Sequence, residues 1–380
     1  MNNKRIKRID KGVLIPIIVF AIISILTINS ASTYISDNLG NLVLKQSIWY
    51  IIGTILVLII MHFKNEYLYR NAYLLYIIFC VLLLLLLFFG TPINNSKCWF
   101  TIPGIGSFQP SEFMKVIIML ILAVMINNFR TKYDNPSIRD EAIFILKTLI
   151  IVLIPSILTF LEPDTGSVIM YLVIYFCMMF TSGIRLRWFL IFFLIVGIIL
   201  GIIMGLYFLN SDLFMNLLGT KLFYRIDRIF NWKSGTGLQL ENAMASIGSA
   251  GLFGHGYNKT PLYFPESGTD FIFAVFASNF GLIPSLLLIC LILFFDIKLI
   301  KLISKKILIP DKYVLVGIVG CLVFQQIQNI GMTIGLLPIT GITLPFISYG
   351  GSSLLSYMLM VGLILNISSE TNEHKYTYNF

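Results

Sequence analysis

Four ionisable residues lie where apolar stretches of this 380-residue chain begin or break, and their types could support chemistry on an anionic substrate. Glu112 and Lys115 are three residues apart at the start of an apolar run, so they would share one helix face. Asp164 separates two apolar runs, and Asp270 begins another. A carboxylate can act as a general base, and a lysine can stabilise a leaving phosphate. An ion pair, a helix cap and a helix-dipole contact are the structural alternatives for the same residues.

The composition indicates that these residues are positioned by membrane-spanning helices. Hydrophobic residues make up 57% of the chain and charged residues only 12%, against about 25% charged in soluble domains. Apolar runs long enough to cross a bilayer predict an all-α integral membrane protein with about ten spans. They lie near 13–34, 47–63, 71–90, 111–128, 142–160, 165–182, 188–209, 270–297, 312–336 and 349–368. We expect one membrane domain covering residues 1–380.

The distribution of lysine and arginine predicts the orientation of the chain in the membrane. With both termini in the cytoplasm, the inner segments collect most of the basic residues and the short outer loops hold Lys45 and Lys97, as the positive-inside rule requires. Residues 1–11 and 369–380 are then cytoplasmic tails. The larger outer loops are 91–109 and 210–269, so Glu112, Lys115, Asp164 and Asp270 all lie near the outer face.

Several other classes of function are disfavoured. The net charge of +9 is dispersed between apolar runs, which argues against a nucleic-acid surface. The five cysteines show no disulfide or zinc spacing. The glycine-rich segment 247–256 lacks the lysine of a P-loop, and nothing points to an organic cofactor. This segment and the basic residues of the large outer loop, among them Arg225, could instead approach a diphosphate.

Taken in order, several longer motifs resemble the SEDS family of RodA, FtsW and SpoVE across nearly the whole chain. They are Trp99-Phe100-Thr101-Ile102-Pro103-Gly104, Gln109-Pro110-Ser111-Glu112, Glu162-Pro163-Asp164-Thr165-Gly166-Ser167, Pro265-Glu266-Ser267-Gly268-Thr269-Asp270 and Leu337-Pro338-Ile339-Thr340-Gly341 through Ser353. The resemblance implies a peptidoglycan glycosyltransferase in the bacterial cytoplasmic membrane. Its substrate would be lipid II, and its partner a class B penicillin-binding protein.

The resemblance also implies roles for individual residues. Asp270 matches the family's essential aspartate, and we expect it to be the catalytic base. The expected substrate-binding residues are Lys97, Trp99, Glu112, Lys115, Asp164, Arg225 and Ser348. A divalent cation such as Mg²⁺ or Mn²⁺, held by oxygen ligands, is a further expectation.

The chain departs from the family pattern at several positions. Ser278 and Asn279 stand where paired glutamates are usual, and Cys98 precedes Trp99 where arginine or serine is common. Ala243, Ser246, Ala250 and Leu238 are further departures in the large outer loop. Two alternatives therefore stay open: a lipid II flippase that uses the same polar cavity, and an inactive scaffold for a penicillin-binding protein. A transporter would carry ionisable groups nearer the middle of the membrane.

Overall fold

The computed structural model describes residues 9–32, 42–93, 96–102, 106–220, 223–224, 226–227, 238–305 and 309–370. These residues form thirteen helices and one small sheet. The helices are α1 (Lys11–Ser32), α2 (Leu42–Arg70), α3 (Ala72–Phe89), α4 (Pro110–Lys132), α5 (Ile138–Leu161), α6 (Thr165–Thr181), α7 (Leu186–Leu209), α8 (Ser211–Leu218), α9 (Leu238–Ser249), α10 (Ile272–Phe280), α11 (Leu282–Ile303), α12 (Ile309–Thr333) and α13 (Gly351–Glu370). The strands are β1 (Thr91–Ile93), β2 (Ser96–Ile102) and β3 (Gly106–Phe108).

Long apolar helices dominate, as the composition predicts. Eight of them are long and apolar enough to cross a membrane: α1, α2, α3, α4, α5, α7, α12 and α13. The shorter apolar α6 and the 22-residue α11 coincide with two further predicted spans. The chain is therefore a multi-pass membrane protein, and the exact number of crossings stays a prediction.

Helices α4, α12 and α13 form the centre of the bundle. Most residues of each are buried, whereas α7 buries only Phe189. Helix α13 packs along α2, while α4 and α12 pack against each other and against α6. Glu112 and Lys115 are on α4, so the sequence places this ionisable pair in the best-packed part of the fold.

The loop between α3 and α4 contains a small antiparallel sheet, which the all-helical expectation did not include. Its strand order is β1-β2-β3, with Thr91 opposite Trp99 and Phe100 opposite Phe108. The Thr91 hydroxyl also donates to the Trp99 carbonyl (3.0 Å). Because the loop pairs its own backbone groups, it can cover the end of the bundle as a folded element.

The span predicted over 270–297 is interrupted. Helix α10 has only nine residues and ends at Gly281, whose φ of +82° lies in the region that favours glycine. The backbone of Leu252–Gly254 lies directly against Gly281, where a side chain would collide with it. The amides of His255 and Gly256 donate to the carbonyls of Ser278 (3.0 Å) and Asn279 (3.1 Å). The break is stable because the loop supplies partners for its backbone groups.

Contacts among the helix ends define two faces of the bundle. Asp10, just before α1, accepts from Lys298 near the end of α11 (3.1 Å) and from Ser368 near the end of α13 (2.9 Å). We call this side the terminal face. The opposite side carries the sheet, the α5–α6 turn, Asp270 and residues 334–350, and we call it the Asp270 face.

Candidate active site on the Asp270 face

The backbone of Asp270 is fixed by hydrogen bonds from α12 and from residues 334–350, which we call the closing loop. Three consecutive carbonyls accept them. Tyr349 N donates to Gly268 O (2.9 Å), Ser348 Oγ to Thr269 O (2.7 Å) and Asn329 Nδ2 to Asp270 O (2.8 Å). Residues 265–271 form turns without a regular hydrogen-bond ladder, so these contacts hold the segment in place.

The Asp270 carboxyl group is half-buried and faces the closing loop. A side chain added at Gly341, whose φ is +72°, would come within 3.6 Å of Asp270 Oδ2. Burial, and then the negative charge of Glu266, raise the pKa of Asp270 to about 7. A base works best when its pKa is near the operating pH, so this environment suits proton abstraction.

Glu112 and Lys115 form the ion pair that their spacing predicts. Lys115 Nζ lies 2.7 Å from Glu112 Oε2, and the Lys115 side chain is only 1% exposed. The same ammonium lies 5.3 Å from the centre of the Tyr357 ring. Lys115 is therefore enclosed by α4 and α13 in this state. Its predicted contact with substrate, like that of Glu112, stays a prediction.

Asp164 links the starts of α4 and α6. Its carboxylate accepts from the backbone of Ser167 (3.0 Å) as the cap of α6, and from the hydroxyl of Ser111 on α4 (3.0 Å). Gln109 Nε2 and Ser167 Oγ donate to the same group (3.0 and 2.7 Å). The capping alternative is thus present, and a substrate role for Asp164 stays a prediction.

The closing loop brings these groups together. Ile342 O accepts from Asn329 (2.8 Å), and the hydroxyls of Thr343 and Tyr357 lie 3.2 Å apart. The loop also passes close to Gly166, where a side chain would come within 3.2 Å of Thr340 O. Asp270, the Glu112–Lys115 pair and Asp164 are therefore arranged around one loop, although they are far apart in sequence.

Ser348 plays a more structural part than we expected. Its hydroxyl accepts from Leu344 N (2.8 Å) while it donates to Thr269 O. The side chain is 5% exposed. These contacts tie the closing loop to the Asp270 segment. Substrate binding by Ser348 stays a prediction.

The remaining predicted residues lie on the loops of this face. Lys97 and Trp99 are on β2, where Lys97 is exposed and Trp99 is half-buried. The Cys98 thiol donates to Glu162 O (2.9 Å) and so joins β2 to the α5–α6 turn. Roles for Lys97 and Trp99 stay predictions. Arg225 lies outside the described residues.

The departures Ser278 and Asn279 are buried, neutral side chains at the end of α10. Asn279 Nδ2 donates to Ser30 Oγ on α1 (2.5 Å), and Thr260 donates to Asn279 Oδ1 (3.1 Å). Asn279 therefore connects α10 to α1 and to the loop before Asp270. The nearby glycine-rich segment packs on the helix break, which accounts for Gly254 without a ligand.

Two residues of the site were not among those predicted from the sequence. Glu162 is 1% exposed, and neither carboxyl oxygen has a hydrogen-bond partner. Burial, and then the charge of Asp164, raise the pKa of Glu162 to about 8. Asn329 is fully buried and contacts Asp270 directly. The signal for Asn329 was a run of amide side chains, Gln325, Gln326, Gln328 and Asn329, inside an apolar helix.

The donors for a metal ion are limited. Among the described residues, no group of three or more His, Cys, Asp or Glu side chains is arranged to hold one. Magnesium, however, commonly keeps several waters and binds through one or two carboxylates together with substrate phosphates. A cation that arrives with the diphosphate of the substrate would therefore need few ligands from the protein.

The family model and the most similar relatives indicate the same protein family. The model of the FtsW, RodA and SpoVE family, described as "Cell cycle protein", matches residues 11–373. A relative from Haemophilus influenzae, "Probable peptidoglycan glycosyltransferase FtsW", is 28% identical over 95% of this chain and 90% of its own length. "Stage V sporulation protein E" of Bacillus subtilis is 31% identical over 85% of this chain and 86% of its own.

Solved structures share the fold. The rod shape determining protein RodA of Thermus thermophilus is 26% identical, has a TM-score of 0.68, and matches over 96% of this chain and 98% of its own. A chain from a peptidoglycan synthase complex is 24% identical, with a TM-score of 0.79 over 96% of this chain and 99% of its own. The family match covers almost the entire chain and the fold agrees with it, so the protein belongs to the FtsW/RodA/SpoVE family of cell cycle proteins.

Proposed function

We propose that this protein is a peptidoglycan glycosyltransferase that polymerises lipid II into glycan strands, with Asp270 as the general base. The observation that carries the proposal is the Asp270 carboxyl group, held at one face of a membrane bundle in surroundings that raise its pKa to about 7. Family membership and relatives named as glycosyltransferases support the same reaction.

The chemistry is a single displacement. A sugar hydroxyl of the acceptor attacks the anomeric carbon of the donor, while Asp270 takes the hydroxyl proton. The bond from the anomeric carbon to the diphosphate oxygen breaks, and the undecaprenyl diphosphate leaves with the electron pair. The product is a glycosidic bond with inverted configuration at that carbon. The step needs one base and positive charge near the leaving group.

We place the Asp270 face at the outer side of the cytoplasmic membrane, with both termini in the cytoplasm. The positive-inside distribution supports this orientation, and the contact of Asp10 with Lys298 and Ser368 places the start of α1 and the end of α13 on one face. We further propose a class B penicillin-binding protein as partner. The fold shared with a chain of a peptidoglycan synthase complex supports this.

A divalent cation is also part of the proposal. It would be held by the diphosphate of the substrate and by water, so that Asp270 stays free to accept the proton. When bound, such an ion would neutralise charge on the leaving group. The test is the dependence of polymerisation on added Mg²⁺ or Mn²⁺ after chelation.

The carboxylates on the terminal side favour an enzyme over a flippase. Asp311 accepts from the Tyr69 hydroxyl (2.5 Å), and Asp296 accepts from Gln326 (3.2 Å). Glu141 accepts from the Trp188 indole (2.8 Å). Each of these acids is held by a neighbouring helix and so stabilises packing there. Among the described residues, the buried carboxyl group that lacks a hydrogen-bond partner is that of Glu162, on the Asp270 face.

The deciding experiment is polymerisation of purified lipid II by the detergent-solubilised protein, with its penicillin-binding partner and divalent metal. We expect long glycan from the wild type and none from Asp270→Ala. Asp212→Ala, which changes an exposed aspartate on α8, is the matched control and should retain activity. No glycan from the wild type with the partner bound would overturn the proposal. The flippase and scaffold hypotheses would then be separated by a fluorescent lipid II transport assay.

A further inference from the structure

Asn329 bridges two segments that meet only at the candidate active site. Its Nδ2 amide carries two N–H groups, and both are used: one donates to Asp270 O and the other to Ile342 O, each at 2.8 Å. Asn329 is fully buried on α12, the central helix behind the site. One side chain therefore joins the Asp270 carbonyl to Ile342 of the closing loop, in addition to the direct bonds from Ser348 and Tyr349 to the two preceding carbonyls.

This contact matters because the Asp270 segment is held within itself only by turn hydrogen bonds around Glu266, without regular secondary structure. Residues 265–271 form turns, and Glu266 has a φ of +54°, which is unusual for a residue other than glycine. Ser348 and Tyr349 fix the two preceding carbonyls, and Asn329 is the donor to the Asp270 carbonyl among the described hydrogen bonds. The other end of the same peptide, Phe271 N, donates to Glu266 O within the turn (3.0 Å). The direction of the Asp270 carboxyl group depends on the orientation of that peptide.

We propose that Asn329 is a positioning residue for the glycosyl transfer, orienting Asp270 against the closing loop by donating to both backbones. The inference rests on the proposed function. It assigns Asn329 no contact with substrate. Small misplacement of a catalytic group can reduce the rate by about 100-fold, so the role has a measurable consequence.

Three substitutions at Asn329 test the two hydrogen bonds. Asn329→Leu removes both donors at similar size, and Asn329→Asp keeps the shape but replaces the donors with acceptors facing two carbonyl oxygens. We expect each to lower kcat about 10- to 100-fold, with KM within about threefold of the wild type. Asn329→Gln keeps the donors on a longer side chain and should recover part of the loss.

The pH dependence separates positioning from a general loss of order. If Asn329→Leu releases Asp270 from its packed surroundings, the carboxyl group gains water and its pKa falls. The acid limb of the rate profile should therefore move to lower pH. Infrared titration of the Asp270 carboxyl band, identified by its loss in Asp270→Ala, should show the same shift without any need for turnover.

Asn366 provides a matched control on the terminal face. It is equally buried, and its Nδ2 donates to Ile60 O (3.0 Å) and Asn65 Oδ1 (3.0 Å). Asn366→Leu should lower the unfolding temperature while leaving kcat per folded molecule and the pH midpoint unchanged. If it reproduces the effects of Asn329→Leu, the positioning role is wrong.

The outcomes also distinguish this inference from the proposed function. An active wild type, an inactive Asp270→Ala variant and an Asn329→Leu variant with normal kcat and normal pH midpoint would overturn the role of Asn329 alone. An inactive wild type would overturn the proposed function. In that case the infrared titration still decides whether Asn329 controls the environment of Asp270.

Discussion

The carboxyl groups of Glu266 and Asp270 are close enough to repel each other, and this repulsion adds to burial in raising the pKa of Asp270 to about 7. Thr269 holds Glu266 in place by donating from its hydroxyl to Glu266 Oε2 (2.7 Å). Glu266, which raises the pKa of the proposed base, is thus fixed on the same short segment as Asp270.

The first prediction concerns the pH dependence of polymerisation. Asp270 must be ionised to accept a proton, so the rate should rise with pH through a midpoint near 7. Well below the midpoint it should fall about tenfold for each pH unit. Glu266→Gln removes the repulsion and lowers the pKa, so its midpoint should lie at lower pH. Initial rates between about pH 5.5 and 8.5 provide the test. A profile identical to that of the wild type would show that Glu266 does not influence the base.

The second prediction concerns the buried ion pair. Glu112→Gln removes the negative charge that lies 2.7 Å from the Lys115 ammonium and so leaves a buried positive charge without a counter-ion. We expect a loss of about 3 to 5 kcal/mol in the free energy of unfolding, and a smaller loss for Glu112→Gln combined with Lys115→Met. Unfolding of the single and double variants in one detergent measures the coupling. If the loss of unfolding free energy in the double variant equals the sum of the losses in Glu112→Gln and Lys115→Met, the two side chains are not coupled.

The third prediction concerns Glu162. Its carboxyl pKa is about 8 in the folded protein against an ordinary value of 4.5, so the folded state binds this proton more tightly than the unfolded state. This group therefore lowers stability progressively as pH rises from about 4.5 to about 8. Glu162→Gln cannot ionise, and its unfolding temperature should fall less over that range. Glu141→Gln, at a buried glutamate that accepts from Trp188 and lies 3.7 Å from Arg185 Nε, loses the charge pair with Arg185 and should instead be destabilised throughout. Parallel curves for wild type and Glu162→Gln would contradict the assignment.

The fourth prediction compares two glycines. Gly183 has a φ of +79°, and a side chain there would overlap the Arg130 guanidinium, which donates to Ser182 O (2.6 Å). Gly183→Ala should therefore cost about 1 kcal/mol or more. Gly197 lies within α7 with nothing within 4 Å of an added side chain. Gly197→Ala should be neutral or stabilising because alanine favours the helix. Unfolding temperatures of the two variants rank them, and the reverse order would contradict the packing at Gly183.

Features that depend on residues close in sequence could be predicted from the sequence alone. Apolar runs located the long helices, and a spacing of three residues correctly paired Glu112 with Lys115. The cap formed by Asp164 was one of two interpretations of its motif, and the structure contains it. In each case the partners are near in sequence, so helix geometry alone relates them.

The remaining features depend on contacts between distant residues. Nothing in the local pattern around Asn329 identifies Asp270, 59 residues earlier, as its partner. Substrate binding by Ser348 stays a prediction, and nothing in its motif indicates that its hydroxyl donates to Thr269 O, 79 residues away. The break at Gly281 was missed because the apolar run continues through it, and its support comes from the backbone of the preceding loop.

The row of three carbonyls from Gly268 to Asp270 has a consequence for biosynthesis. Its donors, Asn329, Ser348 and Tyr349, are translated well after the residues that they hold. At about 5 to 20 residues per second, Asp270 leaves the ribosome several seconds before its supports. A nascent or truncated chain that ends before Asn329 therefore contains the aspartate without any of these three donors. The polymerase becomes competent only after its last helices have inserted.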